Sequence, residues 1–456
     1  MNERSQTTTK RKFRFWHVIA IVALALITAF VIFRLAGRAK LNGRFESMRA
    51  AGYPVTLTEL DAWYEMPPYG ENAAEYIVTA ISYLRIPDAL EAENLPLFHR
   101  GKLPPRTQPW DKEMQALIGQ VLDDNEKVLE LLDQATALPS SRYPVDLSQG
   151  HASLLPHISD LRKVVYLLCF KAFLEAEQGR AAAAIDALAG TFHVADSLTQ
   201  EPVMISQLVR WACQSVALSA TERVINRTAL ALDDLDRLGA ILSTAYDPNA
   251  TIRGLAGERC MAIQMLRQPG ALGLPSVLGN REQPSLLQIR VAGALGQVDR
   301  YLTNYIDLTE RQIAAMRLPA HERERVADEI DTQASQMRNT HKALAYFLPA
   351  LGRFVEIDLA NLTRLRVAHV AVAVERYRVA HGRLPDQWNE LVPAYLETAP
   401  TDPYDGQPLR YRKLAAGFAV YSIGEDLSDD GGRERPPRKR GSQPESNYDI
   451  PFIVER

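Results

Sequence analysis

Eighteen consecutive residues, Trp16 to Phe33 (WHVIAIVALALITAFVIF), carry no charge, and later apolar segments are interrupted by Arg, Lys, Asp or Glu every few positions. As a helix rising 1.5 Å per residue the run extends about 27 Å, close to the hydrocarbon thickness of a bilayer. Lys10, Arg11, Lys12 and Arg14 precede it and Arg34, Arg38 and Lys40 follow it. Cations that can reach the headgroups therefore flank both ends, and the charge bias toward a cytoplasmic N-terminus is small. A cleaved signal peptide is the competing reading. Against it, the apolar region is longer than in an ordinary signal, no A-x-A site closes it and no lipobox cysteine follows. The expectation is an uncleaved single-pass anchor in the inner membrane. Residues 1–15 form a cytoplasmic tail, 16–33 the transmembrane helix, and about 420 residues lie outside the cytoplasm.

A chain of 456 residues is too long for a single small domain. Lys and Arg number 52 against 55 Asp and Glu, so there is no positive excess of the kind that nucleic-acid binding needs. Cys169, Cys213 and Cys260 each fall in an apolar helical pattern and make neither a disulfide framework nor a cysteine-rich zinc site. They are expected as buried thiols.

From residue 41 to about 350 the pattern follows the helical period, which predicts an all-α extracytoplasmic body. Thr56 and Glu59 make a capping box, and Ala74, Ile77, Val78 and Ile81 share a face. Prolines 87, 96, 104, 105 and 109 exclude helix between Ile86 and Trp110. His151–Gln178 and Arg180–Leu198 read as a helical hairpin turning at Gly179. Further helices are expected over Val203–Asn226, Ala231–Tyr246, Ala250–Gln268 (entered through Asp247 as N-cap and Pro248 at its first position), Leu286–Arg317 and Ala320–Phe347, with a Gly/Pro-rich break from Gly270 to Pro284.

Catalytic signatures are scarce. The chain has no G-x-S-x-G, H-E-x-x-H, C-x-x-C, Walker A or G-x-G-x-x-G. His157 and Asp160 stand at i and i+3 and could share a proton or a metal, with His151 nearby; the plainer reading pairs Asp160 with Arg162 or Lys163. Glu258 and Arg259 could place an ion pair inside an apolar helix.

After a long helix beginning near Val355 the composition changes to turns and short strands, an α+β unit. Tyr377 is followed by Gly382-Arg383-Leu384-Pro385, then by Leu391-Val392-Pro393 with Tyr395 and Leu396. Next come Asp402-Pro403-Tyr404-Asp405-Gly406 with Tyr411, and Phe418 to Asp426 with Tyr421-Ser422-Ile423-Gly424 inside it. In this order the motifs resemble the C-terminal domain of type II secretion major pseudopilins, which is related to type IV pilins. The resemblance covers about the last 100 residues. Leu384 stands where the family has tyrosine, and Asp405 is one residue extra.

The resemblance implies a calcium-binding acidic loop after the last motif, which places Asp426, Asp429 and Asp430 as ligands with Asp449 as the final aspartate. Three carboxylates within five residues, ending in Gly431-Gly432, also repel one another in a way a divalent cation relieves. The alternative is a solvated acidic turn balanced by Arg433, Arg435, Arg438, Lys439 and Arg440.

The family's Gly-Phe junction and membrane-segment glutamate are absent, and its direct passage from membrane helix to globular domain is not expected here. The predicted fold is mainly α: a transmembrane helix, a helical body over 41–350 and a small pseudopilin-like α+β domain over 351–456. The functional expectation is a non-enzymatic envelope protein that contacts a protein partner in a secretion or surface apparatus. The alternative is an envelope hydrolase with a pocket near His151, His157, Asp160 or Glu258.

Overall fold

The computed structural model describes residues 7–88, 92–267, 286–340, 351–436 and 448–456. The Gly270–Pro284 break, the Phe347 end of one expected helix and part of the basic segment after Arg435 lie outside them. The chain is mainly helical, with one N-terminal apolar helix and a small C-terminal sheet.

Helix α1 (Thr7–Ala50) does not stop where the apolar run ends. It continues unbroken into the body, where Leu41, Phe45 and Met48 are buried. One helix thus has two kinds of surroundings: the stretch from Phe15 is long and apolar enough to cross a membrane and is uncovered by protein, whereas its last turns enter a core. The apolar helix passes without a break into the helical body and, as expected from the sequence, not directly into the C-terminal α+β region.

The body contains α2 (Leu57–Trp63), α3 (Ala73–Tyr83), α4 (Lys112–Asp123), α5 (Glu126–Thr136), α6 (His157–Glu177), α7 (Ala181–Asp196), α8 (Met204–Arg227), α9 (Leu232–Thr244) and α10 (Pro248–Arg267). The capping box forms, with the Glu59 amide donating to Thr56 Oγ1 at 3.2 Å and the Thr56 amide to Glu59 Oε2 at 3.2 Å. The α6–α7 hairpin turns at Gly179, whose φ of 71° is open to glycine at no steric cost. Among its described residues the proline-rich arm is irregular as expected, and Leu95 and Trp110 in it are buried. All three cysteines are buried and free.

The expected helix over Leu286–Arg317 is two: α11 (Leu286–Ala294) and α12 (Gln297–Ala315). Gly296 breaks them, at φ 79° and with Arg34 of α1 packed so closely that a Cβ there would lie 2.6 Å from its Nη1. Helix α13 (Ala320–Thr340) follows, and then α14 (Leu351–His381), ended by Gly382 at φ 68°. Strands β1 (Arg410–Lys413), β2 (Phe418–Ser422) and β3 (Ile450–Val454) form an antiparallel sheet in that order, with Tyr411 opposite Val420 and Val420 opposite Phe452.

The sheet shares its core with the body. Apolar side chains run continuously from Leu60 and Ile77 through Leu168, Phe192 and Leu238 to Val370 and Val374 of α14, and on to Phe418, Val420 and Val454. Polar contacts cross position 351 as well. Asp358 of α14 is fully buried and accepts from Thr251 Oγ1 at 2.6 Å and Tyr246 Oη at 2.8 Å, while Asn361 donates to Gln214 Oε1 at 2.9 Å. At the outer edge of β3 the Ile453 amide donates to Glu222 Oε1 and Asn226 Nδ2 donates to the Ile453 carbonyl, at 2.7 and 2.8 Å. The boundary expected at 350/351 therefore divides neither the core nor the hydrogen bonding, because the first half of α14 is a helix of the body.

Candidate functional site

The C-terminal loop places its acidic residues on backbone amides. Asp426 Oδ1 accepts from the Ser428 amide at 3.1 Å and Asp429 Oδ1 from the Gly431 amide at 2.9 Å. Asp449 is buried beneath the loop and accepts from the Gly432 amide at 2.6 Å and the Asp430 amide at 3.4 Å. Burial, with Asp429 and Asp430 close by, pushes the Asp449 carboxyl above its ordinary value despite those two amides. Among the described residues no three His, Cys, Asp or Glu side chains converge as a metal-ligand set. Asp426, Asp429 and Asp449 are thus each held by backbone amides, whereas Oδ2 of Asp430 is buried without a hydrogen-bond partner.

Beside this loop lies a cleft of about 290 Å³ between α8, α14 and β3, bordered by Ser219, Glu222, Arg364, Arg435, Tyr448 and Asp449. Burial pushes Glu222 up to about 7, against the opposing pull of Arg106. The Arg435 guanidinium stacks 4.9 Å from the Tyr448 ring centre.

Two of the quoted motifs meet at one buried carboxylate. Asp402 accepts from Arg410 Nη1 at 2.7 Å, Ser422 Oγ at 2.7 Å, the Tyr404 amide at 3.0 Å and the Ile423 amide at 3.1 Å. Asp402 comes from D-P-Y-D-G and Ser422 from Y-S-I-G, so these motifs fasten the turn before β1 to the end of β2. The first motif works similarly at the end of α14: Glu390 accepts from Tyr377 Oη at 2.5 Å, Arg383 Nη2 at 2.5 Å and the Asp386 amide at 2.5 Å. Those bonds hold its carboxyl at about 2, well below the usual range. At both places motif residues tie neighbouring turns and elements together.

In the body, His157 and Asp160 part company. Asp160 pairs with Lys163 at 2.6 Å, as the plainer reading had it. The His157 ring lies 3.1 Å from Glu201 Oε2, stacked on Tyr143 with ring centres 4.0 Å apart. Glu201 also accepts from Ser206 Oγ at 2.5 Å and Tyr64 Oη at 3.3 Å, and Tyr64 Oη in turn accepts the Tyr143 amide at 2.9 Å. This is the kind of acid–base cluster a catalytic search looks for, but the Glu201 side chain is 0% exposed and that of His157 2%. No substrate reaches it in this conformation, and a satisfied buried network of this sort fixes the packing of its helices. Sequence reading missed Glu201, 44 residues from His157 with no local spacing to join them.

Glu258 and Arg259 do not pair with each other. Arg259 is fully buried, ion-paired to Glu310 of α12 and stacked 5.3 Å from the Tyr53 ring centre. Glu258 faces His151, with 3.8 Å between Oε1 and Nε2, and burial raises its carboxyl above the ordinary value. Neighbours on one helix face different directions, which is why the sequence could not say whom each would meet. No protein-family model, curated protein or solved structure matches this chain.

Proposed function

We propose that this chain is a single-pass inner-membrane protein that holds a helical scaffold outside the cytoplasm and uses its pseudopilin-like C-terminal region to bind or assemble with a protein of a secretion or surface apparatus. The observation that carries the reading is the continuity of α1. An uncovered apolar stretch leads straight into turns that are buried among α10, α12 and α13. A tether made this way positions the body rigidly with respect to the bilayer, which suits a scaffold. Loss of the apolar half by cleavage would leave Arg34 without the helix that presents it to Asp299, 2.9 Å away.

The ordered motifs, and the α+β arrangement of α14 and its three strands, support the pseudopilin-like part. The sealed state of the His157–Glu201 cluster favours a structural over a catalytic use of the body. A second reading, an envelope hydrolase, has one specific observation in its favour: the His151 and Glu258 side chains keep 21% and 19% of their surface exposed.

The test is in-cell photo-crosslinking from the surface of the C-terminal region, with probes at Arg412 and Leu427 of the full-length protein. Adducts with a component of a secretion or surface apparatus are expected from the C-terminal probes and absent from a probe at Tyr83 of the body. Adducts of equal strength from all three positions, or none from any, would overturn the assembly reading. Turnover of an ester or peptide that Glu258→Gln abolishes would favour the enzyme.

A further inference from the structure

Helix α11 is apolar on two opposite sides. Ile289 and Ala292 are buried against the body. Leu287 and Val291 on another side, and Leu295 in the turn just past the helix end, are spaced four apart and are 70%, 49% and 48% exposed. At 100° per residue these three occupy one arc, bordered by Arg290 on one flank. A helix that packs one face on protein and turns a second apolar face outward is poorly suited to water.

Its position supplies the occupant. Leu295 precedes Gly296, the residue against which Arg34 packs, and Arg34 directly follows Phe33, the last residue of the apolar run. Arg34 is also ion-paired to Asp299 in the first turn of α12. The α11–α12 corner is thus clamped to α1 at the point where that helix leaves its apolar stretch. Around the clamp, a cleft of about 490 Å³ is bordered by Arg34, Arg38, Arg267 and Arg290, with Asp299 as the one carboxylate among the described residues that line it. A second cleft of about 390 Å³, running from Phe33, includes Lys40 and Arg300. An outward apolar stripe flanked by cations, at the level of a membrane boundary, has the composition of an interfacial helix.

From this geometry we propose that α11 lies in the membrane interface, with Leu287, Val291 and Leu295 entering the acyl boundary and the surrounding arginines binding the phosphates of anionic lipids. The inference rests on the reading of α1 as a membrane span. Two side chains on a nine-residue helix and a third in the turn after it are a weak anchor alone. Clamped to a spanning helix they are held at the surface at high effective concentration, so no independent affinity is required. The consequence is a second point of attachment that fixes the tilt and rotation of the body over the bilayer.

The test uses full-length protein in vesicles. Because Cys169, Cys213 and Cys260 are buried, single exposed cysteines can be labelled selectively. An environment-sensitive fluorophore is placed in Val291→Cys, in Ile27→Cys of the apolar run and in Leu427→Cys of the C-terminal loop, and quenched by lipids carrying nitroxides at shallow or deep positions. Val291 should be quenched severalfold more than Leu427, most strongly by the shallow nitroxide, while Ile27 responds to the deep one. Phosphatidylglycerol in place of phosphatidylcholine should deepen the Val291 response, and Arg38→Gln with Arg290→Gln should remove that dependence. An Ile27 response with Val291 no different from Leu427 would overturn the interfacial helix while leaving the span standing. No Ile27 response would remove the span and this inference together. Val291 cross-linking between copies without lipid quenching would assign the stripe to a protein contact and overturn the proposal.

Discussion

Asp402 gathers two side-chain and two main-chain donors, and the structural meaning of the C-terminal motifs is concentrated there. Removing a buried carboxylate leaves its donors without a partner, although Arg410 keeps Asp405 at 2.6 Å. Asp402→Ala should therefore cost about 3 kcal/mol in urea unfolding, and Asp402→Asn clearly less. A change within about 0.5 kcal/mol would show that the hub is not needed. Glu390 gives a pH-dependent counterpart. Its folded carboxyl sits at about 2 against an ordinary 4.5, so it contributes stability above about 4.5 that is lost as pH falls toward about 2. The melting difference between the protein and Glu390→Gln should be constant near neutrality and close across that acid window; a difference independent of pH would contradict the assignment. The patterns around Asp402, Ser422 and Tyr377 were legible in the sequence. That they meet at carboxylates was not, nor was the His157–Glu201 pair, because such partners are chosen by tertiary approach and leave no local spacing.

Helices were mostly legible where period and caps agreed, as in α2 with its capping box and α10 entered through Asp247, whose Oδ1 accepts the Asn249 amide at 2.8 Å. Legibility failed where a helix changes surroundings without changing pattern. The apolar run of α1 continues into turns bearing Arg34, Arg38 and Lys40, and only the packed structure shows Phe45 inside a core. This sets up a contrast within one helix. In detergent, Phe45→Ala should destabilise the body by about 3 kcal/mol, the usual cost of emptying a buried aromatic site. Ile27→Ala, uncovered by protein, should stay within about 0.5 kcal/mol. Equal effects would mean that the two halves do not face different solvents. Gly296 likewise reads in sequence as one tolerated glycine within a helical period. Its positive φ and the guanidinium of Arg34 against it make it the corner on which α11 turns.

Across the whole molecule, the apolar core passes from the body through α14 into the sheet, so the C-terminal region is fastened by more than its own strands. A fragment from Leu351 to Arg456 has the size of an independent domain, yet it would expose Asp358 and Asn361 without Thr251, Tyr246 and Gln214. It would also free the edge of β3 that Glu222 and Asn226 now cover. Such a fragment should unfold with a midpoint well below that of the full chain and with a shallower denaturant slope; a sharp transition at the same midpoint would show that the shared core contributes nothing.

The tether is the claim on which the functional reading depends. Carbonate extraction of membranes holding the full-length protein and, in parallel, protease added from outside the sealed inner membrane address it together. The intact chain should remain in the membrane fraction, and protease should remove the region from Leu41 onward while sparing a short fragment that contains Trp16–Phe33. Release of the intact chain by carbonate, or complete protection of the body from external protease, would contradict a single-pass protein whose scaffold stands outside the cytoplasm.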